Sequence, residues 1–574
     1  MSVGQRSAQA ADLLGSIITA YEEMEMPARR YVLAVLLPTS FLFLVTIVAA
    51  IAVETLLLVR LLLPLFGLLI LGAGVAYPRV ALDRRRIEME NRFHLMVTHM
   101  TVLSTTNIDR MEVFRKLGQE EEYGELAKEI RRIVQLVDTW NQSLDDACRR
   151  RAKSVPSESL TDLFDRLAYT LGAGQALDDF LLSEQSVMIE NYSTIYESSL
   201  DNLDVMKDLY LSMILSMTFA LVFAVVLPIL TGTDPTLTVA AVISMFGFVQ
   251  LGFFLVIRAV VPYDPVWYVA EDIDTDAERK LLLVTAASGL LFVLLAAVFA
   301  GALVGVGVFR MLVPGWLPTP LYVAIPTLPF LGIALAFRAE EKRIRNRDEE
   351  FPSFIRALGA TESAKQATTS KVLSTLRDKD FGSLTGTIDD LYRRLNMRID
   401  TSKAWRFFTA ENGSYLIQKF SEMYLIGREM GGDPKQLGEL ISRNMNEINQ
   451  LREQRSQATT TLIGLLYGIT AAASFAFFTG LEIVGILAGF DIGTASAGGM
   501  DFGKLLHTDV YNLPLLQALL LCVIIFNAVV SALTIRTADG GHPGNGYLHF
   551  VLLTWVGCGT AVATQRLISM LLSI

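Results

Sequence analysis

Cysteine and histidine are scarce in this sequence, which has three of the first and five of the second in 574 residues. Cys148, Cys522 and Cys558 are too few and too scattered for a disulfide scaffold or a zinc site. No His-Glu-x-x-His pair occurs, and no histidine pairs locally with a cysteine, so the usual spacing of zinc ligands is missing. We therefore expect no metal site.

Positive charge is in the minority as well. The formal net charge is −10 at pH 7, whereas a domain that binds nucleic acid carries a basic surface. The composition therefore argues against a nucleic-acid partner.

Charge of either sign is sparse, at 19% of residues against 52% hydrophobic residues, and the mean hydropathy is +0.42. The apolar residues are gathered into runs of about 20 or more, the length that crosses a bilayer as a helix. The first run starts at Tyr31, is too long for the hydrophobic part of a signal peptide and lacks a clear cleavage site. These features predict a multi-pass membrane protein whose first span is retained.

The sequence predicts nine spans, with the boundary between the first two uncertain. They lie at 31–53, 55–77, 208–230, 237–262, 281–309, 319–337, 459–488, 514–536 and 548–572. The fold class that follows is all-α, with membrane helices and two helical cytoplasmic domains. The predicted domains are a tail (1–30), spans one and two (31–77), a first polar insert (78–207), spans three to six (208–337), a second polar insert (338–458) and spans seven to nine (459–574).

Orientation follows from the basic residues beside the span ends, since cytoplasmic flanks are enriched in Lys and Arg. Basic clusters lie at 29–30, 84–86 and 338–347, whereas the links 231–236, 310–318 and 489–513 are poor in both residues. This pattern predicts a cytoplasmic N-terminus and two cytoplasmic inserts, so the lipid bilayer of the cell membrane is one expected partner.

The two inserts are similar in pattern. Apolar residues of the second insert recur in the first at a constant offset of 258 residues, which later becomes 260. The pairs at the first offset include Leu126/Leu384, Ile130/Ile388, Ile133/Leu391 and Val137/Leu395, and the pairs at the second include Leu160/Phe420 and Gly172/Gly432. An offset held over about 90 residues exceeds what a shared helical period produces by chance. We therefore predict an internal duplication.

Each insert contains a predicted helix junction. Gly431 and Gly432 suit the left-handed end of one helix, and Pro434 suits the first position of the next. Gly172 and Gly174 lie at the corresponding junction of the first insert. Both ends of the second insert, 338–347 and 449–457, are polar, and we expect them to face water.

Clusters of basic residues are the strongest candidates for a partner site. They comprise Arg84, Arg85, Arg86, Arg149, Arg150, Arg151, Arg338, Lys342, Arg343, Arg345 and Arg347. The positive-inside rule and anionic headgroups explain clusters next to a span. Residues 149–151 lie farther from a span, which favours a docking surface for an acidic protein.

Signals of catalysis are missing. The Gly427–Gly432 spacing resembles a phosphate loop, but Asp433 and Pro434 follow where Lys and Ser or Thr would hold phosphate. No Gly-x-Ser-x-Gly elbow occurs. We expect no enzyme activity. The Gly-x-x-x-Gly pairs at 301–305 and 464–468 suit packing within the chain or a homodimer equally.

Residues 163–181, with Leu171-Gly-Ala-Gly174, and residues 420–441, with 427–432, resemble the type II secretion F superfamily. The many spans, the widely separated inserts and the N-terminal segment 21–31 are more similar to its archaeal branch. Within that branch the N-terminal segment, the acidic balance and the overall length are similar to archaellum platforms of the FlaJ type, and archaeal type IV pilus platforms are the alternative. The resemblance implies no cofactor.

The resemblance implies a platform in the cytoplasmic membrane that engages a hexameric secretion ATPase and gathers archaellin or pilin subunits. On that basis the basic clusters would face the ATPase. Two alternatives stay open: a secondary transporter built from parallel repeats, and a membrane-bound signalling scaffold. An intramembrane protease is disfavoured because the spans contain no paired aspartates.

Overall fold

The structure is a computed structural model that describes residues 31–52, 57–106, 108–304, 307–489 and 512–572. In these residues every regular element is a helix, and the one extended pairing is an isolated antiparallel bridge between Trp267 and Ser414. The predicted all-α class is confirmed. The predicted tail 1–30 and most of the link 489–513 lie outside the described residues.

The chain divides into two compact units, residues 1–188 and 189–574, which we call the N-terminal and C-terminal units. The N-terminal unit opens with a π-helical turn at Val32–Leu36. Its helices are α1 (Leu37–Ala52), α2 (Leu57–Ser104), α3 (Arg110–Gln119), α4 (Glu125–Asp138), α5 (Leu144–Ala152), α6 (Glu158–Gly172) and the first part of α7 (Leu177–Val226).

The C-terminal unit holds the rest of α7 and the helices that follow it. These are α8 (Pro228–Thr231), α9 (Pro235–Val260), α10 (Asp276–Val304), α11 (Gly307–Leu312), α12 (Thr319–Thr327), α13 (Phe330–Lys365), α14 (Thr369–Leu376), α15 (Thr385–Asn396), α16 (Thr401–Asn412), α17 (Tyr415–Glu429), α18 (Pro434–Gly489), α19 (Leu513–Asp539) and α20 (Gly546–Leu572).

Six helices among the described residues are long and apolar enough to cross a membrane, and a bent helix pair raises that number to seven. The seven predicted spans from 208–230 onward fall on α7, α9, α10, the pair α12–α13, α18, α19 and α20. The predicted spans 31–53 and 55–77 fall on α1 and the first half of α2, and residues 53–56 between them are not described. The nine-span count therefore stays a prediction.

The predicted span 319–337 is a bent pair, because α12 and α13 meet at an angle of 40°. Pro326 lies inside α12, and Pro329 immediately precedes α13. Neither proline can donate a backbone hydrogen bond, and each ring crowds the preceding turn, so the helix bends where the two prolines fall together.

Several helices begin at a polar cap that the sequence supplies. Ser157 accepts a hydrogen bond from the backbone N–H of Leu160 at 3.2 Å, and Ser414 accepts one from Ile417 at 3.1 Å. Such caps satisfy backbone donors that a first helical turn leaves without a partner.

A buried cluster of the C-terminal unit lies between its apolar helices. Leu221, Phe246, Phe478, Leu520 and Leu553 are among its members. Lipid tails are as apolar as these side chains, so close packing rather than exclusion of water holds such helices together in a bilayer.

Hydrogen bonds between side chains add specificity to this packing. The buried Gln250 amide donates to the Asn527 carbonyl oxygen, and the Asn527 amide donates to Thr470 Oγ1 at 2.9 Å. Three helices, α9, α18 and α19, are thereby fixed in register.

The helices α13 and α18 cross at two glycines. A Cβ atom on Gly359 would lie 2.1 Å from the carbonyl oxygen of Pro434, and one on Gly438 would lie 2.7 Å from the carbonyl oxygen of Ile355. Because these neighbours are backbone atoms, they cannot rotate away to make room for an added Cβ atom. The approach of the two helices thus depends on both residues being glycine.

We expect Gly359→Ala to lower the free energy of unfolding of the purified protein by about 1–3 kcal/mol, since overpacking forces the backbone apart. Thermal unfolding in detergent measures the change. Gly386→Ala in α15 is the matched control: no heavy atom lies within 4 Å of its Cβ position, and alanine favours helix over glycine by up to about 1 kcal/mol. Equal changes in the free energy of unfolding for the two variants would contradict the requirement for glycine where α13 and α18 cross.

Candidate functional site

The first basic cluster, 84–86, lies on α2, and its arginines have different roles. Arg85 Nε donates to Glu125 Oε2 at 2.8 Å. Burial tends to raise the pKa of Glu125, but the hydrogen bond from Lys128 and the charge of Arg85 outweigh it and lower that pKa below its ordinary value. Arg86 forms an exposed ion pair with Glu158 at 3.3 Å. The side chain of Arg84 lies outside the description.

The second cluster, 149–151, is on α5. Arg151 Nε donates at 3.1 Å to the carboxylate of Glu129, which is almost fully buried. Arg149 is exposed with a long contact of 3.7 Å to Asp146, and Arg150 is exposed without an ion pair among the described residues. Arg151 therefore neutralises an interior charge, while Arg149 and Arg150 are free to meet a partner.

The third cluster, 338–347, lies on α13, and its first residue is eight residues after the start of that helix. Arg338 and Lys342 are exposed and have no ion pair in the part of the chain that the structure describes. Arg343 is exposed and contacts Glu340 at 3.0 Å. These three cations remain available to an anionic surface.

The other two arginines of this cluster face the protein. Arg345 contacts Glu341 at 3.0 Å and Asp539 at 3.1 Å. Arg347 donates to the carbonyl oxygens of Glu411 and Asn412 at 3.2 and 2.9 Å. The expectation that 338–347 faces water as a whole is wrong, because these two side chains are held against other parts of the chain by carboxylate and carbonyl partners.

The opposite end of the second insert departs further from expectation. Arg452 and Arg455 on α18 are only 9% and 3% exposed, so the prediction that 449–457 faces water is wrong there. Both side chains meet partners that are distant in sequence. We call this pair and its acidic partners, Asp264 and Asp348, the arginine hub.

In the arginine hub, Arg452 bridges two carboxylates. Its Nε and Nη2 atoms donate to the two oxygens of Asp264 at 2.7 Å each, and Nη1 donates to Asp348 Oδ2 at 2.7 Å. Ser414 donates a further hydrogen bond to Asp348. A buried guanidinium requires such pairing because its desolvation is costly.

Arg455, one turn further along α18, binds backbone carbonyls at the ends of membrane helices. It donates to Ala538 and Thr537 at 2.7 and 3.1 Å, and to Pro262 at 3.2 Å. Gly540 follows α19 with φ +76°, and a Cβ there would lie 2.6 Å from the guanidinium carbon. The hub thereby joins the second insert to the ends of α9 and α19.

The connector between α9 and α10 belongs to the same assembly. Tyr268 donates a backbone hydrogen bond to Gly413 at 2.9 Å, and Tyr415 donates one to Val266 at 3.0 Å. The indole of Trp267 donates to Glu341 Oε2 at 2.9 Å. The sequence analysis did not single out this connector; Trp267, an aromatic residue in a polar link, was the available signal.

The predicted helix junctions contain glycines in unusual conformations. Gly174 and Gly431 adopt φ of +79° and +86°, whereas Gly172 ends α6 and Gly432 has no positive φ. Pro434 is the first residue of α18. Positive φ costs glycine little because it has no Cβ.

Two further glycines precede α4 and α15 and were missed. Gly124 and Gly382 adopt φ of +54° and +56°. Their separation of 258 residues equals the first offset between the inserts, and this coincidence could have identified them.

No group of three His, Cys, Asp or Glu side chains that could hold a metal ion occurs among the described residues. Cys148 is buried in the N-terminal unit, and burial raises the pKa of its thiol to about 12. A protonated thiol of this kind is a poor nucleophile.

Comparisons with known proteins agree with the resemblance drawn from the sequence. The family model of type II secretion system (T2SS) protein F matches residues 96–227. The chain is 32% identical over 554 residues to flagella accessory protein J of Methanocaldococcus jannaschii, which covers 95% of this chain and 96% of that protein. It is 31% identical over 521 residues to flagella accessory protein J of Methanococcus voltae, covering 89% and 91%.

A shorter match, 22% identical over 138 residues, links 24% of the chain to 23% of an uncharacterized protein of Methanocaldococcus jannaschii. No solved structure gives a significant match. The two long matches extend over nearly the whole chain, inserts and membrane helices alike. The predicted superfamily and its archaeal branch are confirmed, and the chain belongs to the flagella accessory protein J family.

Proposed function

We propose that this protein is the membrane platform of a type IV pilus-like filament machine, the archaellum. Full-length similarity to flagella accessory protein J is the observation that carries the proposal. Platforms of an archaeal adhesion pilus or of a type II-like secretion system are the second choice, because the family model that matches this chain describes a type II secretion protein. On this proposal the chain lies in the cytoplasmic membrane and is not itself an enzyme.

The partners are a hexameric secretion ATPase and archaellin or pilin subunits. The ATPase would bind the inserts, where Arg149, Arg150, Arg338, Lys342 and Arg343 are exposed. Complementary charge orients such a complex and accelerates its formation. The filament subunits, which must leave the bilayer, would meet the membrane helices.

The arginine hub supports a mechanical role. It ties the second insert, through Asp348, to the connector at Asp264 and to the last carbonyls of α19. A force applied to the insert would therefore reach the membrane helices through ion pairs and hydrogen bonds as well as through apolar packing.

The internal duplication, which we retain as a proposal, is supported by glycines of positive φ and by helix caps that occur at nearly the same offset in both inserts. Gly124 and Gly382 share positive φ at an offset of 258. The helix caps Ser157 and Ser414 are 257 residues apart, as are Gly174 and Gly431. The offset in this region is thus 257 rather than the expected 260, a shift of about one helical turn.

A close contact recurs at the same place in both copies. Thr101 on α2 donates to the carbonyl oxygen of Leu181 at 3.4 Å, and the equivalents of these two residues are Gly359 and Gly438 at the glycine crossing. Each insert would thereby pack the end of its entry helix against the start of its exit helix.

We also propose nine spans with a cytoplasmic N-terminus, so that both inserts face the ATPase. Arg131→Cys and Arg393→Cys, introduced without the three native cysteines, should both be protected from a membrane-impermeant maleimide in intact cells. Both should react in permeabilised cells. Thr233→Cys, in a predicted external link, is the control and should react in both. Protection of one insert but not the other would overturn the topology.

Reversing Arg149 and Arg150 to Glu should weaken binding of the ATPase to membranes that contain the protein by about tenfold at low salt. The loss should shrink as salt rises, because exposed charges are screened. Co-sedimentation measures it. The control, Arg110→Glu with Arg131→Glu, reverses two other exposed arginines of the same unit and should leave binding unchanged. An equal loss would contradict a specific site.

Arg452→Gln should lower the free energy of unfolding by about 3–5 kcal/mol, since it leaves two buried carboxylates without a cation. Arg443→Gln, an exposed arginine on the same helix, should change it by less than about 0.5 kcal/mol. The triple variant Arg452→Met, Asp264→Asn, Asp348→Asn should regain most of the stability and still bind the ATPase but assemble few filaments. Normal filament assembly by a stable triple variant would contradict the mechanical role of the hub.

A further inference from the structure

The turn between α4 and α5 in the N-terminal unit presents a large apolar residue to solvent. Trp140 is 72% exposed. Asn141 follows with φ +50°, the left-handed conformation that ends many helices and that Asn adopts more readily than most residues with a side chain. Ser143 then caps α5. The turn therefore holds Trp140 outward by a definite backbone geometry.

The turn between α15 and α16 in the C-terminal unit has the same design. Met397 is 68% exposed, Arg398 has φ +60°, and Asp400 caps α16. Each of these residues lies 257 positions after its counterpart. The residue types have diverged, but the exposed apolar side chain and the left-handed residue after it are present in both.

A single exposed apolar residue on a protein surface needs no explanation. An exposed large apolar residue at the same place in both inserts does need an explanation, because an exposed side chain makes no packing contact that would favour it. Exposed Trp and Met side chains are enriched in protein–protein interfaces, and truncation of a central Trp is among the costliest changes there.

Unpaired cations lie beside the second turn. Arg398 and Lys403 are exposed without an ion pair among the described residues. Arg149 and its counterpart Arg406, 257 residues apart, are exposed but contact Asp146 at 3.7 Å and Asp272 at 2.9 Å. The second insert has 21 Lys and Arg against 18 Asp and Glu, whereas the first has 17 against 23. Charge therefore favours an acidic partner at the second turn, and the first turn would contribute mainly its apolar side chain.

We infer that the two turns are the anchor points of one protein partner, whose surface offers apolar pockets bordered by carboxylates. Trp140 and Met397 fill the pockets, and Arg398 and Lys403 beside Met397 pair with the carboxylates. The inference rests on the proposed function, under which this partner is the secretion ATPase.

The test measures binding of the purified secretion ATPase to the full-length protein in lipid nanodiscs. Trp140→Ser and Met397→Ser should each raise the Kd at least tenfold, with little change in thermal stability because both residues are exposed. Trp140→Phe and Met397→Leu, which keep an apolar group, should stay within about threefold of wild type. Val187→Ser, an exposed apolar residue away from the turns, is the control and should bind like wild type.

The outcomes separate this inference from the proposed function. If the wild-type protein binds the ATPase and both Ser variants have a Kd within twofold of the wild-type value, the two turns are not anchors, although the ATPase is still a partner. A Val187→Ser loss equal to that of the turn variants would likewise overturn them. Failure of the wild-type protein to bind the ATPase would count against the proposed function and the anchors together.

Discussion

A buried guanidinium must be neutralised, and this requirement organises the C-terminal unit. Arg452 takes one carboxylate from the connector and one from α13, and Arg455 takes carbonyl groups from the ends of two membrane helices. Removing any one partner would leave charge or polar groups unpaired in the interior. Four chain segments that are far apart in sequence are therefore fixed at one level, where the polar insert meets the membrane helices.

Much of the architecture could be predicted from the sequence because its signals are local. Apolar runs indicated the membrane helices from 208 onward, and Pro434 after two glycines marked the start of α18. The register between the two inserts was harder to read, because two amphipathic helices match almost equally well when one of them slides by three or four residues. If the inserts are copies, as we propose, the caps Ser157 and Ser414 align α6 with α17 at an offset of 257 rather than the predicted 260.

The candidate site was harder to predict, since the fate of an arginine depends on distant residues. Arg149, Arg150 and Arg151 look alike in sequence, yet Arg151 alone meets the buried Glu129. Similarly, Arg345 and Arg347 turn inward while Lys342 and Arg343 stay outside. Arginines in these clusters fall into three groups: those that neutralise interior carboxylates, those that are candidates for contact with a partner, and those that the proposed topology would explain. Only tertiary contacts separate the three.

Helix α18 runs for 56 residues from Pro434 to Gly489 without a proline after its first position. At about 1.5 Å per residue it is a rod of about 84 Å. The hub contacts α18 at Arg452, which lies roughly 27 Å from the beginning of the helix and 56 Å from its far end by the same rise per residue. A rotation of α18 about Arg452 would therefore displace its far end about twice as far as its soluble end.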